Sequence, residues 1–214
     1  AVGGVCAAVD AVLAGQAPNA FVAMRPPGHH TERAKAMGFC IFNAIAIGAM
    51  RALDHHGLDR VAVLDFDVHH GNGTQDLLWN EPRALFASTH QHPLYPGTGA
   101  AGERGAHGQI LNVPLQAGTR GDPARAAWRG ICDRVLAWRP QLVLVSAGFD
   151  AHAQDPLASL AWDEADFTAI TRVICDAATS CSAPVVSVLE GGYDLAALGR
   201  SVRAHVEVLR ETTA

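Results

Sequence analysis

The alternation of short apolar runs with longer helical stretches is the sequence feature that most constrains the fold. Runs rich in Val, Leu, Ile and Ala predict six strands, at residues 21–24, 61–65, 84–88, 110–113, 142–146 and 185–189. Helical signals lie between them, at residues 3–14, 41–56, 122–138, 163–180 and 194–211. Several runs are apolar on both faces, as in a parallel sheet covered by helices. The sequence therefore predicts a three-layer α/β/α fold with a mainly parallel sheet.

Composition excludes several classes of protein. With 49% hydrophobic and 17% charged residues, the chain is typical of one globular domain over residues 1–214 and not of a disordered protein. The net charge of −5 and the absence of a Lys/Arg run argue against direct nucleic-acid binding. Membrane insertion is also excluded, because no apolar run approaches the ~20 residues that span a bilayer. Five scattered cysteines favour reduced thiols and a cytoplasmic protein.

Dense polar clusters follow five of the predicted strands. They lie at residues 25–30, 67–74, 89–92, 147–150 and 190–193. In open α/β sheets, ligands bind outside the carboxyl ends of the strands. These loops are therefore expected to meet and form one site.

A metal site is predicted from the segment around "DVHHGNGT" at 67–74. Asp65, Asp67 and His69 alternate along an extended chain, so their side chains share a face. Asp150 follows another strand and is the candidate third ligand. Three protein ligands leave coordination positions open, as in catalytic sites, and this ligand set suits Zn²⁺, with Fe²⁺ or Co²⁺ as alternatives. The competing interpretation is an Asp67–His69 ion pair that caps the following helix.

Three further side chains are candidates for catalysis. His29 and His30 can reach one pocket as general base and electrostatic partner of an activated water, although one could be a ligand and the other a surface residue. The hydroxyl of Tyr193 can stabilise an oxyanion, although a packed aromatic is the alternative. His107 and His205 are interpreted as surface residues.

Seven motifs in one order carry a resemblance to a known family. They are "RPPGHH" (25–30), "GFCIFN" (38–43), "DFDVHHGNGTQ" (65–75), "STHQ" (88–91), "YPGTG" (95–99), "SAGFDAH" (146–152) and "EGGYD" (190–194). Together they resemble the zinc-dependent histone deacetylase superfamily of the arginase/deacetylase fold. The chain is most similar to class II and bacterial histone-deacetylase-like amidohydrolases.

The resemblance implies a role for each matching residue. The zinc ligands would be Asp67, His69 and Asp150, and the catalytic pair His29 and His30. Asp65 would orient the first histidine and Asn72 the second, while Tyr193 would polarise the acyl carbonyl. The substrate-channel positions would be Gly38, Phe39, Tyr95, Leu157 and Gly192. A structural K⁺ would be held by Ser88 and Thr89 with the backbone of Asp65, Asp67 and His69.

The implied reaction is hydrolysis of an acetyl or acyl group from the side-chain amine of lysine, in a protein or peptide. His30 is the better candidate for the base. An acetylpolyamine deacetylase acting on a small amine is the alternative, with Glu103 and Asp155 as the nearby loop acids. A non-catalytic remnant that binds zinc and acyl-lysine is another. An arginase-like two-metal site is disfavoured, because His70-Gly71-Asn72 stands where a second acid is needed.

Family catalytic domains are longer than this chain. The missing stretches are the N-terminal strands and an acidic loop, so the chain is expected to be part of a longer deacetylase domain. A sheet edge left open in this way could be covered by a second copy in a homo-oligomer.

Overall fold

The computed structural model describes residues 1–212, which form a six-stranded sheet between two layers of helices. The strands are β1 Asn19–Val22, β2 Val61–Asp65, β3 Ala84–Gln91, β4 Ile110–Leu115, β5 Leu142–Ala147 and β6 Val185–Leu189. The helices are α1 Val2–Leu13, α2 Ala44–Met50, α3 Asn72–Leu78, α4 Gly121–Trp138, α5 Glu164–Ser180 and α6 Leu195–Glu211.

The strand order is β1-β6-β5-β2-β3-β4, and each neighbouring pair is parallel. The last residue of β2, Asp65, is level with Ser88 of β3 and Ser146 of β5. All carboxyl ends therefore lie at one edge, where the polar loops begin. The predicted α/β architecture is confirmed.

Two apolar cores cover the two faces of the sheet. One packs Val63, Phe86 and Leu144 against α1, α2 and α3. The other packs alternate strand residues such as Leu64 and Val145 against α4, α5 and α6. Because the side chains of a strand alternate between faces, buried runs such as β2 and β5 supply both cores at once. This double burial explains why the strands read as continuous apolar runs.

The secondary structure differs from the sequence prediction in several places, including β1, which spans Asn19–Val22 instead of residues 21–24. Helix α3 was not predicted, because its segment is short and begins with the polar residues that marked the site. The second helix begins at Ala44 instead of residue 41, since the side chain of Asn43 caps it by accepting a hydrogen bond from Ala46 N at 3.0 Å. It continues as a π-helical turn over Arg51–His55. No helix within residues 1–212 combines the length and apolar character needed to cross a membrane.

The interpretation of His205 as a surface residue was wrong. His205 is 1% exposed, and its two ring nitrogens lie 2.7 Å from Thr171 Oγ1 and 2.8 Å from Ser187 Oγ. Its spacing on α6 places it on the inner face of that helix, against Phe21, Phe66 and Phe149. Burial lowers the pKa of His205 to about 3.

This buried histidine predicts an acid-sensitive fold. The pKa of His205 is about 3 in the folded state and about 6.5 when unfolded, so between these values the unfolded chain binds more protons. Stability should therefore fall as pH falls from 6.5, by up to about 1.4 kcal/mol per pH unit from this group. Urea unfolding between pH 7 and pH 4.5 should show a shallower pH dependence for His205→Gln than for the wild type. The matched control, exposed His55→Gln, should leave the slope unchanged, and an equal slope in His205→Gln would contradict the prediction.

Candidate metal centre and channel

The structure brings the predicted metal ligands together at the carboxyl edge of the sheet. Asp67 and His69 follow β2, and Asp150 follows β5, the neighbouring strand. One ligand atom from each side chain lies within 4.8 Å of the others, and all three residues are buried. His69 Nδ1 is 3.1 Å from Asp67 Oδ1 and 3.2 Å from Asp150 Oδ2. The three ligand atoms thus converge on one point.

Backbone amides hold the other oxygen of each carboxylate. Asp67 Oδ2 accepts a hydrogen bond from Gly191 N at 2.8 Å, and Asp150 Oδ1 accepts one from Val68 N at 2.9 Å. Asp150 Oδ2 is buried, and within residues 1–212 its polar neighbour is His69 Nδ1 at 3.2 Å, in a geometry that makes no regular hydrogen bond. A buried carboxylate oxygen bound in this incomplete way is costly, so the site favours a cation.

The electrostatics of the three side chains agree with a cation site. Burial and the nearby charge of Asp67 raise the pKa of Asp150 to about 6. Burial opposes protonation of His69, but the carboxylates of Asp150 and Asp67 outweigh it and raise the pKa of His69 to about 10. Two buried carboxylates facing one imidazole attract positive charge, and a divalent metal ion would supply it in place of protons.

The two adjacent histidines are buried and oriented by different partners. His29 Nδ1 lies 3.0 Å from Asp65 Oδ2. His30 Nδ1 lies 2.8 Å from Asn72 Oδ1. The Asn72 amide can take only one orientation, because its Nδ2 donates to Glu32 Oε1 at 2.7 Å, and a carboxylate only accepts. His30 therefore carries its proton on Nδ1, and Nε2 keeps a free lone pair.

The pKa values of the two histidines are driven in opposite directions. Burial would lower the pKa of His29, but the charges of Asp67 and Asp65 raise it well above its usual value. Burial and the charge of His29 lower the pKa of His30 to about 3. At neutral pH, one ring is a cation and the other a neutral acceptor. Opposite pKa shifts of this kind suit one histidine to an electrostatic role and the other to the role of general base.

A cavity of about 390 Å³ leads from the surface to His30 and to the proposed metal ligand His69. Its lining comprises His30, Gly38, Phe39, His69, Tyr95, Leu157 and Tyr193. The outer residues Phe39, Tyr95 and Leu157 are 70%, 45% and 46% exposed. A larger groove, of about 460 Å³, lies between α1, α2 and α3 and contains none of the predicted site residues. The candidate site is therefore identified by the residues that line the cavity and not by the cavity volume.

The channel wall depends on unusual backbone at Gly38 and Phe39. Their φ angles are 56° and 64°, in the left-handed region that a bulky residue seldom adopts. A Cβ on Gly38 would lie 2.2 Å from the ring of His30, so glycine is needed there. The turn places the Phe39 ring 6.0 Å from that of Tyr193, on the opposite wall. Backbone strain of this kind is concentrated at functional sites.

The segment that carries Tyr193 is fixed by Asp155. Asp155 Oδ2 accepts a hydrogen bond from Tyr193 N at 2.7 Å, and its Oδ1 accepts one from Leu157 N at 3.0 Å. Gly192 precedes Tyr193 with φ of 134°, another conformation that favours glycine. Tyr193 is partly buried, and Arg25 lies over its ring at 5.9 Å. Burial and the charges of Asp67 and Asp150 raise its pKa, so the phenol stays protonated.

The residues predicted to hold K⁺ are buried side by side on β2 and β3. Asp65 and Ser88 are register partners. Thr89 Oγ1 accepts a hydrogen bond from Trp128 Nε1 at 3.1 Å, and Ser88 Oγ lies 3.0 Å from His90 Nδ1. Both hydroxyls thus have protein partners, and the K⁺ site stays a prediction.

Sequence reasoning did not single out three carboxylates of this region as parts of the site. Glu32 orients Asn72, Asp155 holds the Tyr193 segment, and Glu190 binds the backbone before His30. Glu190 lay within a quoted motif, and Asp155 was considered only as a rim acid. Apart from Leu157 N, which binds Asp155, their partners are distant in sequence, so no local pattern reveals these contacts.

Comparisons with known proteins agree with the predicted fold and family. A profile of the histone deacetylase domain matches residues 1–209. A histone deacetylase-like amidohydrolase of Pseudomonas aeruginosa is 46% identical over 87% of this chain and 51% of its own length. A chloroplastic histone deacetylase 10 of Oryza sativa subsp. japonica is 43% identical over 91% of this chain and 46% of its own. A probable deacetylase of Archaeoglobus fulgidus is 41% identical over 91% of this chain and 55% of its own length.

The crystal structure of the HDA15 HD domain superimposes with a TM-score of 0.90 and 35% sequence identity, covering 96% of this chain and 59% of that one. This match confirms the predicted arginase/deacetylase-type architecture. The chain spans about half the length of the three curated relatives named above.

Proposed function

The chain belongs to the histone deacetylase family, and on that premise we propose that it carries the catalytic core of a metal-dependent amidohydrolase. The reaction is removal of an acetyl group from the side-chain amine of lysine, in a protein or peptide, or from a related amine. One observation carries the proposal: an open Asp67–His69–Asp150 triad lies at the end of an aromatic-walled channel, beside two differently charged histidines.

Zn²⁺ is the proposed metal, with Fe²⁺ as the alternative, held by Asp67, His69 and Asp150. Bound there, the ion supplies Lewis acidity toward the amide carbonyl and the attacking water. Gly191 N and Val68 N each bind one oxygen of Asp67 and Asp150, so the remaining oxygen of each carboxylate would be the metal ligand.

The protein's own groups move the protons. His30, neutral and with a free Nε2, accepts a proton from the water as the water oxygen adds to the carbonyl carbon. His29, held cationic by Asp65, stabilises the negative charge that develops. The Tyr193 hydroxyl donates to the same oxyanion. The C–N bond then breaks, a histidine proton passes to the departing amine nitrogen, and acetate and the free amine leave.

The channel suits a substrate whose long apolar chain ends in an uncharged group. Phe39 and Tyr193 face one another, and the Tyr95 ring lies edge-on to His30 at 5.2 Å. Aromatic walls bury methylene groups favourably and exclude water from the reacting amide. The side chain of acetyl-lysine has this form.

An acetylpolyamine substrate is less well supported. A polycation needs free acids at the channel rim, and the two candidates are engaged elsewhere. Asp155 is 8% exposed and binds backbone amides, while Glu103 accepts a hydrogen bond from Gln75 Nε2 at 2.6 Å. The choice between the amines is tested by comparing kcat/KM for an acetyl-lysine peptide and acetylspermidine.

We also propose a structural K⁺ near Ser88 and Thr89, a single domain over residues 1–214, and a cytoplasmic protein. The K⁺ proposal rests on the family resemblance and is checked by the dependence of thermal stability on KCl against NaCl. Residues 213–214 lie outside the part that the structure describes.

Tyr193→Phe tests the proposed reaction. The change removes one hydroxyl and keeps the aromatic wall, so kcat for a fluorogenic acetyl-lysine substrate should fall about a hundredfold. KM and bound metal should stay close to the wild-type values. The assay compares wild type, Tyr193→Phe and the surface variant Trp79→Phe after loading with Zn²⁺.

Equal activity in Tyr193→Phe would contradict the role given to the hydroxyl. A wild type that binds one metal ion and a hydroxamate tightly, but hydrolyses no acylated amine, would identify the chain as a non-catalytic binding protein instead.

A further inference from the structure

We propose that Glu190 is a positioning residue, whose carboxylate holds the backbone of the histidine loop in register with the Tyr193 segment. The proposal rests on the proposed function, because what it positions is the proposed base and its partner. Nothing in the reaction requires Glu190 to touch substrate or metal.

The geometry of the Glu190 carboxylate carries the inference. The residue is fully buried directly after β6, and Oε2 accepts hydrogen bonds from Gly28 N at 2.7 Å and His29 N at 3.2 Å. Oε1 accepts one from Ser146 Oγ at 3.2 Å, on β5. Both oxygens are used, and two of the three donors belong to the loop that carries the histidines.

Gly28 allows the histidine loop to pack closely against the segment that leads into α2. A Cβ at that position would lie 2.7 Å from Ala44 N and 3.0 Å from Phe42 O. The N–H groups of Gly28 and His29 point at one oxygen of Glu190. Burial raises the pKa of this carboxyl group to about 7, and the contact is charge-assisted when the group is ionised.

The residues that follow Glu190 contact the proposed metal ligand Asp67 and lead to Tyr193. Glu190 N donates to Ala147 O at 3.0 Å, and the next amide, Gly191 N, donates to Asp67 Oδ2. Tyr193 follows three residues after Glu190. The short segment 190–193 thus joins the histidine loop, the metal ligand Asp67 and the tyrosine.

The burial of Glu190 as a carboxyl group distinguishes a positioning role from ordinary packing. An isolated buried carboxylate is costly, and an apolar residue would fill the same space with less penalty. Asp65 fixes the ring of His29 through Nδ1, but a ring is positioned only if its backbone is held as well. Glu190 supplies that second constraint. Misplacement of a reacting group by about 1 Å can cost about a hundredfold in rate.

Three variants test the proposal. Glu190→Ala removes the acceptor, so kcat should fall about a hundredfold, while KM stays within about threefold and one metal ion remains bound. Glu190→Gln keeps an oxygen for the two amides and should retain kcat within about tenfold. The matched control is Asp166→Ala. The Asp166 side chain is largely buried and accepts a hydrogen bond from Asp163 N in the N-terminal cap of α5, outside the histidine loop. This variant should lose stability without losing kcat.

A second measurement does not depend on activity. The amide protons of Gly28 and His29 should exchange slowly in the wild type and in Glu190→Gln, and much faster in Glu190→Ala. Their NMR signals should move upfield in Glu190→Gln, because an amide oxygen deshields a bonded proton less than a carboxylate does.

These results separate the two proposals. If Glu190→Ala protein keeps the amide protection of Gly28 and His29, or keeps kcat within threefold, the positioning role is wrong. If Glu190→Ala does not fold, upfield signals in Glu190→Gln support the contact, and unmoved signals overturn it. If protection depends on Glu190 but the wild type turns over no acylated amine, the contact stands and the proposed function fails.

Discussion

Replacing Gly191 with alanine is expected to abolish metal binding and turnover together. An alanine Cβ at this position would lie 2.1 Å from Asp150 Oδ2 and 2.6 Å from Asp67 Oδ2. Contacts under 3.0 Å force something to move; Asp150 Oδ2 faces the proposed metal site, and Asp67 Oδ2 is the oxygen that Gly191 N holds in place. The added methyl therefore occupies the space toward which the carboxylates converge. It also pushes on the backbone whose N–H holds Asp67.

Two measurements check this result, metal content after Zn²⁺ loading and dialysis, and turnover of acetyl-lysine substrate. The wild type should retain one metal ion per chain and Gly191→Ala essentially none, with kcat/KM lowered by at least about three orders of magnitude. The matched control is Gly130→Ala on α4, where an added Cβ meets nothing within 4 Å. Alanine is favoured over glycine inside a helix by about 0.5–1 kcal/mol, so this control should be fully active and slightly more stable. A Gly191→Ala protein that binds Zn²⁺ like the wild type would show that the metal site lies elsewhere.

The fold could be predicted from the sequence because each strand is buried on both faces. Runs such as Val61–Asp65 and Leu142–Ala147 carry apolar residues at successive positions, and only a covered parallel sheet explains that pattern. The first and last residues of the strands and helices were harder to predict. Strand β3 continues to Gln91, past the polar residues that were interpreted as loop, because a buried polar side chain can remain in a sheet when it has a partner.

The site could be predicted in part, for a related reason. Asp67, His69 and Asp150 are metal-ligand types placed just after strands, and strand ends in a parallel sheet meet. His205 shows where such reasoning fails. Its type favours the surface, but Thr171 and Ser187 supply hydrogen bonds from two other elements and make burial possible. Asp150 could be predicted because it follows a strand, whereas no comparable position marks the partners of His205.

Glu190 and Glu32 were missed because they act on groups that have no sequence signature. Glu190 binds backbone amides more than 160 residues away, and any residue type but proline presents such an amide. Glu32 acts through the orientation of an amide side chain, which only the assembled hydrogen-bond network reveals. Asp65 and Asn72 could be named as orienting residues because they lie within the matching motifs, whereas the contacts of Glu190 and Glu32 could not be predicted.

Removing the imidazole of His30 is expected to lower kcat about a thousandfold. His30 is 4% exposed and neutral, with Nδ1–H bound to Asn72 and Nε2 free to accept a proton. General-base catalysis contributes between about a hundred- and ten-thousandfold, and the other imidazole among the described lining residues belongs to the proposed metal ligand His69. KM and metal content should change little in His30→Ala, because the channel walls and the Asp67–His69–Asp150 triad remain.

The assay for His30→Ala includes free imidazole, which can enter the space left by the ring. Added imidazole should restore part of kcat in His30→Ala and none in Tyr193→Phe, since only the first variant lacks a proton acceptor. Exposed His92→Ala is the matched control and should behave like the wild type. If imidazole restores nothing and the pH dependence of kcat/KM is unaltered in His30→Ala, the base is another group. His29 would then be the next candidate, although its contact with Asp65 holds it protonated and therefore unable to accept a proton.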